Sequence, residues 1–221
     1  METVKPISIP RMIKTMQSRF DYAEYWVQLT LKGREKYGEQ FQLREDDAPV
    51  IARMICWVLK DEPVAKKMDI EIHKGIFLNG PVGAGKTSLM HLLNYLMEAS
   101  QVHAMRSCRD ISFEFSADGY EVIARYAKKS FRAHSYEPKA YCFDDLGLEC
   151  SAMHFGSHCQ VMGEILLSRY DLFVNYGMIT HVTTNLNSQD VEEVYGKRVR
   201  SRLRQMLNLI TFPGDTPDKR R

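Results

Sequence analysis

Gly80-Pro81-Val82-Gly83-Ala84-Gly85-Lys86-Thr87 fits the pattern G-x-x-x-x-G-K-[ST] at every fixed position. Ahead of it, residues 75–79 form a short apolar strand candidate. Behind it, residues 88–97 carry the apolar spacing of a helix. Strand, glycine loop and helix in that order turn a glycine-rich turn into a phosphate cradle. The glycines let the loop wrap so that successive backbone N–H groups converge on an anion. The helix start adds partial positive charge at the same place. Lys86 brings a full charge, and the Thr87 hydroxyl is a ligand suited to Mg²⁺. Gly80, Pro81, Val82, Gly83, Ala84, Gly85, Lys86, Thr87 and Ser88 are the expected phosphate-binding set.

Outward from this loop the chain alternates. Strands are predicted at 75–79, 102–107, 140–144, 179–184 and 207–212, and helices at 86–99, 120–133, 160–176, 189–195 and 197–206. Such alternation predicts an α/β fold, a parallel sheet with helices on both faces. Ligands gather at the carboxyl ends of the strands in such sheets, which places the glycine loop, Asp144 and Asn185 on one rim. Residues 1–66 read differently. Helices are expected at 11–20, 22–37 and 50–60, the last closed by Asp61-Glu62-Pro63. The expected division is a helical region over 1–66 and a P-loop core over 67–221.

Composition narrows the class. The 221 residues are 44% hydrophobic, which supports a folded core rather than disorder. A net charge of +2 is too mild to announce a nucleic-acid binder, so any basic surface must come from local clustering. The start of the chain carries no apolar leader pattern. The most apolar stretch, 49–59, is interrupted by Arg53 and too short to span a bilayer. Five cysteines, an odd number, point to reduced thiols in a cytoplasmic protein.

Tyr141-Cys142-Phe143-Asp144-Asp145 is an apolar strand ending in two acids. A strand-end acid beside the phosphate loop is the usual second Mg²⁺ partner, and Asp144 has that position. Strand alternation sends Asp145 to the other side of the tip, where it can polarise a water for attack on a γ-phosphate. Asp-Asp before glycine is also ordinary turn chemistry. Asn185, closing Thr183-Thr184-Asn185, can orient that water or report on the phosphate, and it too is a common turn residue. Downstream, Arg198 and Arg202 share one helix face, and Arg200 and Arg204 share another. One pair can face a neighbouring subunit's phosphate, where an arginine supplied in trans stabilises the transferring group. A solvated basic helix is the plainer alternative.

The glycine loop, the Asp-Asp strand, the Thr-Thr-Asn strand and Tyr195-Gly196-x-Arg198-x-x-Ser201-Arg202-Leu203 occur in the order found in AAA+ ATPases. Over about residues 67–212 the chain resembles the bacterial helicase-loader branch, DnaC-type, and its relatives the IstB-type transposition helper ATPases. The resemblance implies Walker A at Gly80–Thr87, Walker B ending at Asp144-Asp145, sensor I at Asn185 and an arginine finger at Arg202, with Arg198 the alternate. It implies ATP and Mg²⁺ as ligands and an ATP-dependent homo-oligomer. It further implies single-stranded DNA and a replicative helicase or a transposase as partners. Asp145 departs from the Glu common at this position, and little room follows the last strand for a full C-terminal lid domain. A nucleotide-gated binding module with little turnover stays open as a second reading, and a small-molecule kinase as a third.

Two further groups stand out. Cys150, His154, His158 and Cys159 resemble a metal set, but His158 and Cys159 are adjacent where zinc sites separate paired ligands by a loop. A plain loop with Cys159 packed inward is the expectation. Phe20, Tyr22, Tyr25 and Trp26 lie near Lys14 and Arg19; at helical spacing such aromatics belong to a core more often than to a base-stacking surface.

Overall fold

The computed structural model describes residues 18–149, 152–154 and 157–220. The chain divides into two compact units. The first holds the described residues up to Ile72 together with Ser88–Val102. The second holds His73–Thr87 and the chain from His103 onward.

In the first unit, α1 spans Tyr22–Tyr37. Asp21 caps its start, accepting from the Ala23 amide, and Gly38 at φ 99° ends it. Tyr22, Trp26 and Leu29 are buried along one face, so Tyr22 and Trp26 of the aromatic cluster are core, as expected, while Phe20 and Tyr25 are half-buried. Most of the helix expected at 11–20 lies outside the described residues, as does Lys14. A 3₁₀ turn at Glu45–Asp47 leads into α2, Ala48–Leu59. Lys60, in the left-handed region, ends α2. The following Asp-Glu-Pro does more than close it. Glu62–Met68 is a further short helix, α3, with Pro63 in its first turn. Proline fits there because the first-turn N–H groups have no intrahelical partner to lose. Asp61, buried just before α3, accepts from Ser18 Oγ at 2.5 Å and Tyr22 Oη at 3.1 Å.

The second unit is built on a five-stranded sheet. In chain order its strands are β1 Gly75–Asn79, β2 Ala104–Ser107, β3 Tyr141–Leu146, β6 Thr180–Thr184 and β7 Leu207–Thr211. Their order across the sheet is β2-β3-β6-β1-β7, and every pairing is parallel. All five expected strands are present. Phe77, Tyr141, Phe143, Val182 and Leu207 join one apolar cluster. Ile76, Leu78, Cys142 and Ile210, buried as well, alternate to the opposite face. A parallel sheet buried on both faces is the architecture predicted.

The helices around this sheet match the expectation in number less well. α4 runs Lys86–Leu93 and passes into a 3₁₀ turn at Asn94–Leu96, shorter than expected. It begins in the second unit and continues in the first. α5, Cys108–Asp118, is absent from the expected elements: its sequence CRDISFEFSAD has only a sparse apolar stripe. Yet Cys108, Ile111 and Phe115 are buried, and Ser107 caps the helix start by accepting from the Asp110 amide at 3.2 Å. α6 covers Tyr120–Tyr126, about half the length expected. α7, Val161–Tyr176, ends at Gly177 in the left-handed region. The loop expected between Asp145 and α7 contains an antiparallel hairpin, β4 Ala152–His154 and β5 Ser157–Cys159. Cys159 is buried in the apolar cluster, whereas Cys150 and the side chains of His154 and His158 lie outside the described residues.

α8, Ser188–Met206, joins the two helices expected at 189–195 and 197–206. Gly196, at φ 85° and ψ 162°, breaks the helical path between them. Asn187 and Asp190 form a capping box at its start. The Asn187 side chain accepts from the Gln189 and Asp190 amides at 2.7 and 3.1 Å, and Asp190 accepts from the Asn187 amide at 2.8 Å. Each satisfied amide is one the helix start would otherwise leave orphaned.

Candidate phosphate-binding site

The glycine loop leaves β1 at Asn79 and enters α4 at Lys86, at the carboxyl edge of the sheet. The Gly80 amide donates to the Thr184 carbonyl at 3.3 Å, tethering the loop to the end of β6. Within the loop the Ala84 amide returns to the Pro81 carbonyl at 3.3 Å. Gly83 and Gly85 take φ of 80° and 89°, a region that side chains other than glycine's strain to enter. Ala84 is buried, Val82 is exposed, and Ser88 follows Thr87 in the first turn of α4.

Lys86 is 5% exposed. Its ammonium donates to the Gly80 and Pro81 carbonyls at 2.9 and 3.0 Å and to Asn185 Oδ1 at 2.5 Å. Burial lowers its proton affinity, and the Arg220 guanidinium adds to this; Asp145 and Asp144 act the other way. The Thr87 hydroxyl donates to the Asp144 carboxylate at 2.9 Å from one oxygen and 3.1 Å from the other.

Asp144 also accepts from Thr183 Oγ1 at 2.6 Å, and that same hydroxyl oxygen accepts from the Asp145 amide at 2.9 Å. Thr183 therefore fastens both acids to β6. It is fully buried, and its role escaped the sequence because Thr183 reads as an ordinary β-branched strand residue. Strand alternation does not carry through the acids. The pairing of β3 with β6 shifts register between Phe143 and Leu146, and Asp145 takes φ 56°. Such a bulge re-aims side chains at a strand end. Burial raises the Asp145 pKa above the ordinary carboxylate value and the Asp144 charge raises it further, against the opposing pull of Lys86 and Arg220.

The loop, Asp144, Asp145 and Asn185 thus come to one rim, as expected. Arg202 and Arg198 do not join them. Arg202 donates to Tyr170 Oη at 3.1 Å and Gln205 Oε1 at 3.3 Å, with its guanidinium 4.3 Å from the Tyr170 ring centre. Arg198 is exposed. Arg200, which shares the expected second face with the exposed Arg204, pairs with Glu192 at 2.6 Å and reaches Ser188 Oγ at 2.9 Å.

The donor set fits a nucleotide and Mg²⁺. Two glycines in the left-handed region bare the loop backbone, a lysine sits at the helix start, and a threonine hydroxyl lies against a carboxylate. These are the oxygen ligands Mg²⁺ prefers. What the arrangement can do chemically is hold a polyphosphate and bring a carboxylate and an amide side chain beside its end.

Comparison with family models gives no match, and comparison with curated proteins gives none either. Solved structures do match. A DnaC helicase loader superposes with a TM-score of 0.52 over 79% of this chain and 95% of its own, at 16% identity. DnaI superposes with a TM-score of 0.53 over 80% of this chain and 90% of its own, at 22% identity. The fold is therefore the P-loop NTPase α/β fold of these structures. Among the described residues no helix is long and apolar enough to cross a membrane.

Proposed function

We propose that this chain is an AAA+ ATPase of the DnaC helicase-loader type, which binds and hydrolyses ATP to load or remodel a partner on DNA. One observation carries the reading. Two hydrogen-bonded sets, Lys86 with Asn185 and Asp144 with Thr87 and Thr183, cluster at the carboxyl edge of a parallel sheet.

In this reading the loop amides and Lys86 take the β- and γ-phosphates. Thr87 and Asp144 would hold Mg²⁺, which supplies charge neutralisation between the phosphates. Asp145 takes a proton from water as the water oxygen attacks the γ-phosphorus and the bond to the β-bridging oxygen breaks. Its raised pKa makes it a better base than an ordinary carboxylate. Asn185, held on Lys86, orients that water or senses the γ-phosphate. Arg202, with Arg198 as the alternate, completes the site of a neighbouring copy in a homo-oligomer; neither has a cluster residue among its contacts, which favours action in trans. The partners proposed are a replicative helicase and single-stranded DNA. All of the named site residues except Ser88 lie in the second unit, which leaves the N-terminal region for partner or DNA contact.

The test is ATP turnover per subunit against protein concentration, with single-stranded DNA present. A rate that rises and saturates supports composite sites, and Arg202→Ala is then expected to keep ATP affinity but lose that rise. A flat rate would refute the trans arginine. No turnover with ATP still bound would favour a nucleotide-gated module.

A further inference from the structure

We propose that Lys219 is a positioning residue for the phosphate loop: it holds the Gly83 and Ala84 carbonyls from outside and so turns the Gly85 amide toward a bound phosphate. The proposal rests on the reading of this loop as a nucleotide site.

The segment after β7 doubles back along the loop. Phe212 continues the sheet pairing, its amide donating to the Asn79 carbonyl at 2.9 Å. A turn follows, with Thr216 N–H donating to the Pro213 carbonyl at 3.1 Å. The chain then reaches the loop at Lys219. Its backbone N–H donates to the Gly83 carbonyl at 3.0 Å, and its ammonium donates to the Ala84 carbonyl at 2.7 Å. The ammonium also lies 4.8 Å from the centre of the Phe212 ring. Two consecutive loop carbonyls are thus fixed by one residue more than 130 positions away in sequence.

Peptide planarity converts this into an effect on the other side of the loop. In a trans peptide the carbonyl and the next residue's N–H point in opposite directions. Holding the Ala84 carbonyl against Lys219 therefore aims the Gly85 N–H away from the strap, into the cradle. Holding the Gly83 carbonyl fixes the preceding peptide unit, whose Ala84 N–H closes the turn onto Pro81. With φ near +80° and +89°, Gly83 and Gly85 are the two loop positions freest to rotate, so outside anchoring has most to order there.

The strap's fit is close. A Cβ on Gly83 would stand 2.1 Å from Asp218 Oδ1, and that carboxylate is itself fixed by the Arg220 amide at 2.9 Å.

The experiment measures the affinity of the full chain for fluorescent Mg-ATP and Mg-ADP analogues, in the wild type, Lys219→Met and Lys219→Arg. Amide exchange at Gly85 and the melting temperature are followed without nucleotide. Lys219→Met is expected to weaken both nucleotides alike, by about tenfold, the scale of one hydrogen bond to a charged group. Gly85 exchange should quicken while the melting temperature holds, and Lys219→Arg should restore most of the affinity. Unchanged affinity in Lys219→Met would overturn the proposal. A gain in affinity would overturn it too, marking the strap as an obstruction. A loss for ATP alone would replace positioning by direct contact with the γ-phosphate. A wild-type chain that binds neither nucleotide would sink the nucleotide reading itself, a result separable from all of these.

Discussion

The Lys86 ammonium donates to the Asn185 side-chain oxygen at 2.5 Å, joining two residues 99 positions apart. The phosphate loop and the end of β6 thereby act as one unit. Lys86→Ala is expected to abolish γ-phosphate binding and hydrolysis together. Asn185→Ala is expected to lower kcat by about a hundredfold while nucleotide affinity changes little, because its interaction belongs to the attacking water. Steady-state turnover alongside equilibrium nucleotide binding separates the two. Equal loss of binding in both variants would make Asn185 a ground-state contact only.

Thr183 serves both acids with one hydroxyl. Thr183→Val keeps the volume but leaves the Asp144 carboxylate one donor short and the Asp145 amide without its acceptor. The expected cost is about 1–3 kcal/mol of stability, read from urea unfolding, with turnover reduced as the bulge loosens. Thr183→Ser should recover both. A stable, fully active Thr183→Val would remove this residue from the site.

Arg169 is fully buried in α7 and its guanidinium is satisfied by oxygens alone. It donates to Thr180 Oγ1 at 2.7 Å and to the carbonyls of Tyr126, Lys139 and Ile179 at 2.8, 3.1 and 2.7 Å. The guanidinium also lies 5.2 and 5.6 Å from the Tyr141 and Phe143 ring centres. Burial lowers its pKa to about 9, which leaves it charged at neutral pH. Arg169→Met would strand one buried and two part-buried carbonyls and the Thr180 hydroxyl, and a loss of about 3 kcal/mol is expected in chemical denaturation. Arg169→Lys would do little better, since one ammonium cannot reproduce the planar fork. A methionine variant within 1 kcal/mol of wild type, on the order of an ordinary surface change, would contradict this account.

His181 accepts from the Ile76 amide at its Nδ1, at 3.1 Å, which fixes the ring as neutral. Burial holds its pKa well below the usual histidine value, and His103 and Arg169 push it the same way. Below about pH 6.5 the unfolded chain therefore binds a proton that the folded chain refuses. Stability from this group is present above that pH and falls as the pH drops, by about 1.4 kcal/mol per unit. Unfolding at pH 7.5, 6.5 and 5.5 should show a small fall over the upper interval and a steeper one, approaching this slope, over the lower. His181→Asn, which offers an oxygen near the place of Nδ1, should flatten it.

The periodicities carried most of the fold. The parallel strands were readable because short runs with apolar or β-branched residues are followed by turn or polar residues, and Gly196 marked the break inside α8. α5 was hidden because its buried positions, Cys108, Ile111, Ser112 and Phe115, include a serine and lie among acids and a further serine. The hairpin at 152–159 was hidden because three-residue strands carry too little alternation to register. In the site, the loop, Asp144, Asp145 and Asn185 announced themselves by residue type and order. Thr183 and Arg169 did not, for a common reason. Their partners come from other strands and loops, and only the folded chain brings those oxygens within reach. Lys219 is the same case, since the loop carbonyls it reaches lie more than 130 positions away in sequence.

Cys56, Cys108, Cys142 and Cys159 are all free and buried. Burial pushes the Cys56 thiol up to about 11 and the Cys108 and Cys142 thiols well above their ordinary value. Thiolate is the reactive form, so the native chain withholds these sulfurs from alkylating reagents by protonation as well as by access. Cys142 sits in the central part of the sheet and Cys56 in the first unit's α2. In a Cys150→Ser background, the order in which mass-tagged peptides from these two sites accumulate becomes a clock for which unit opens first.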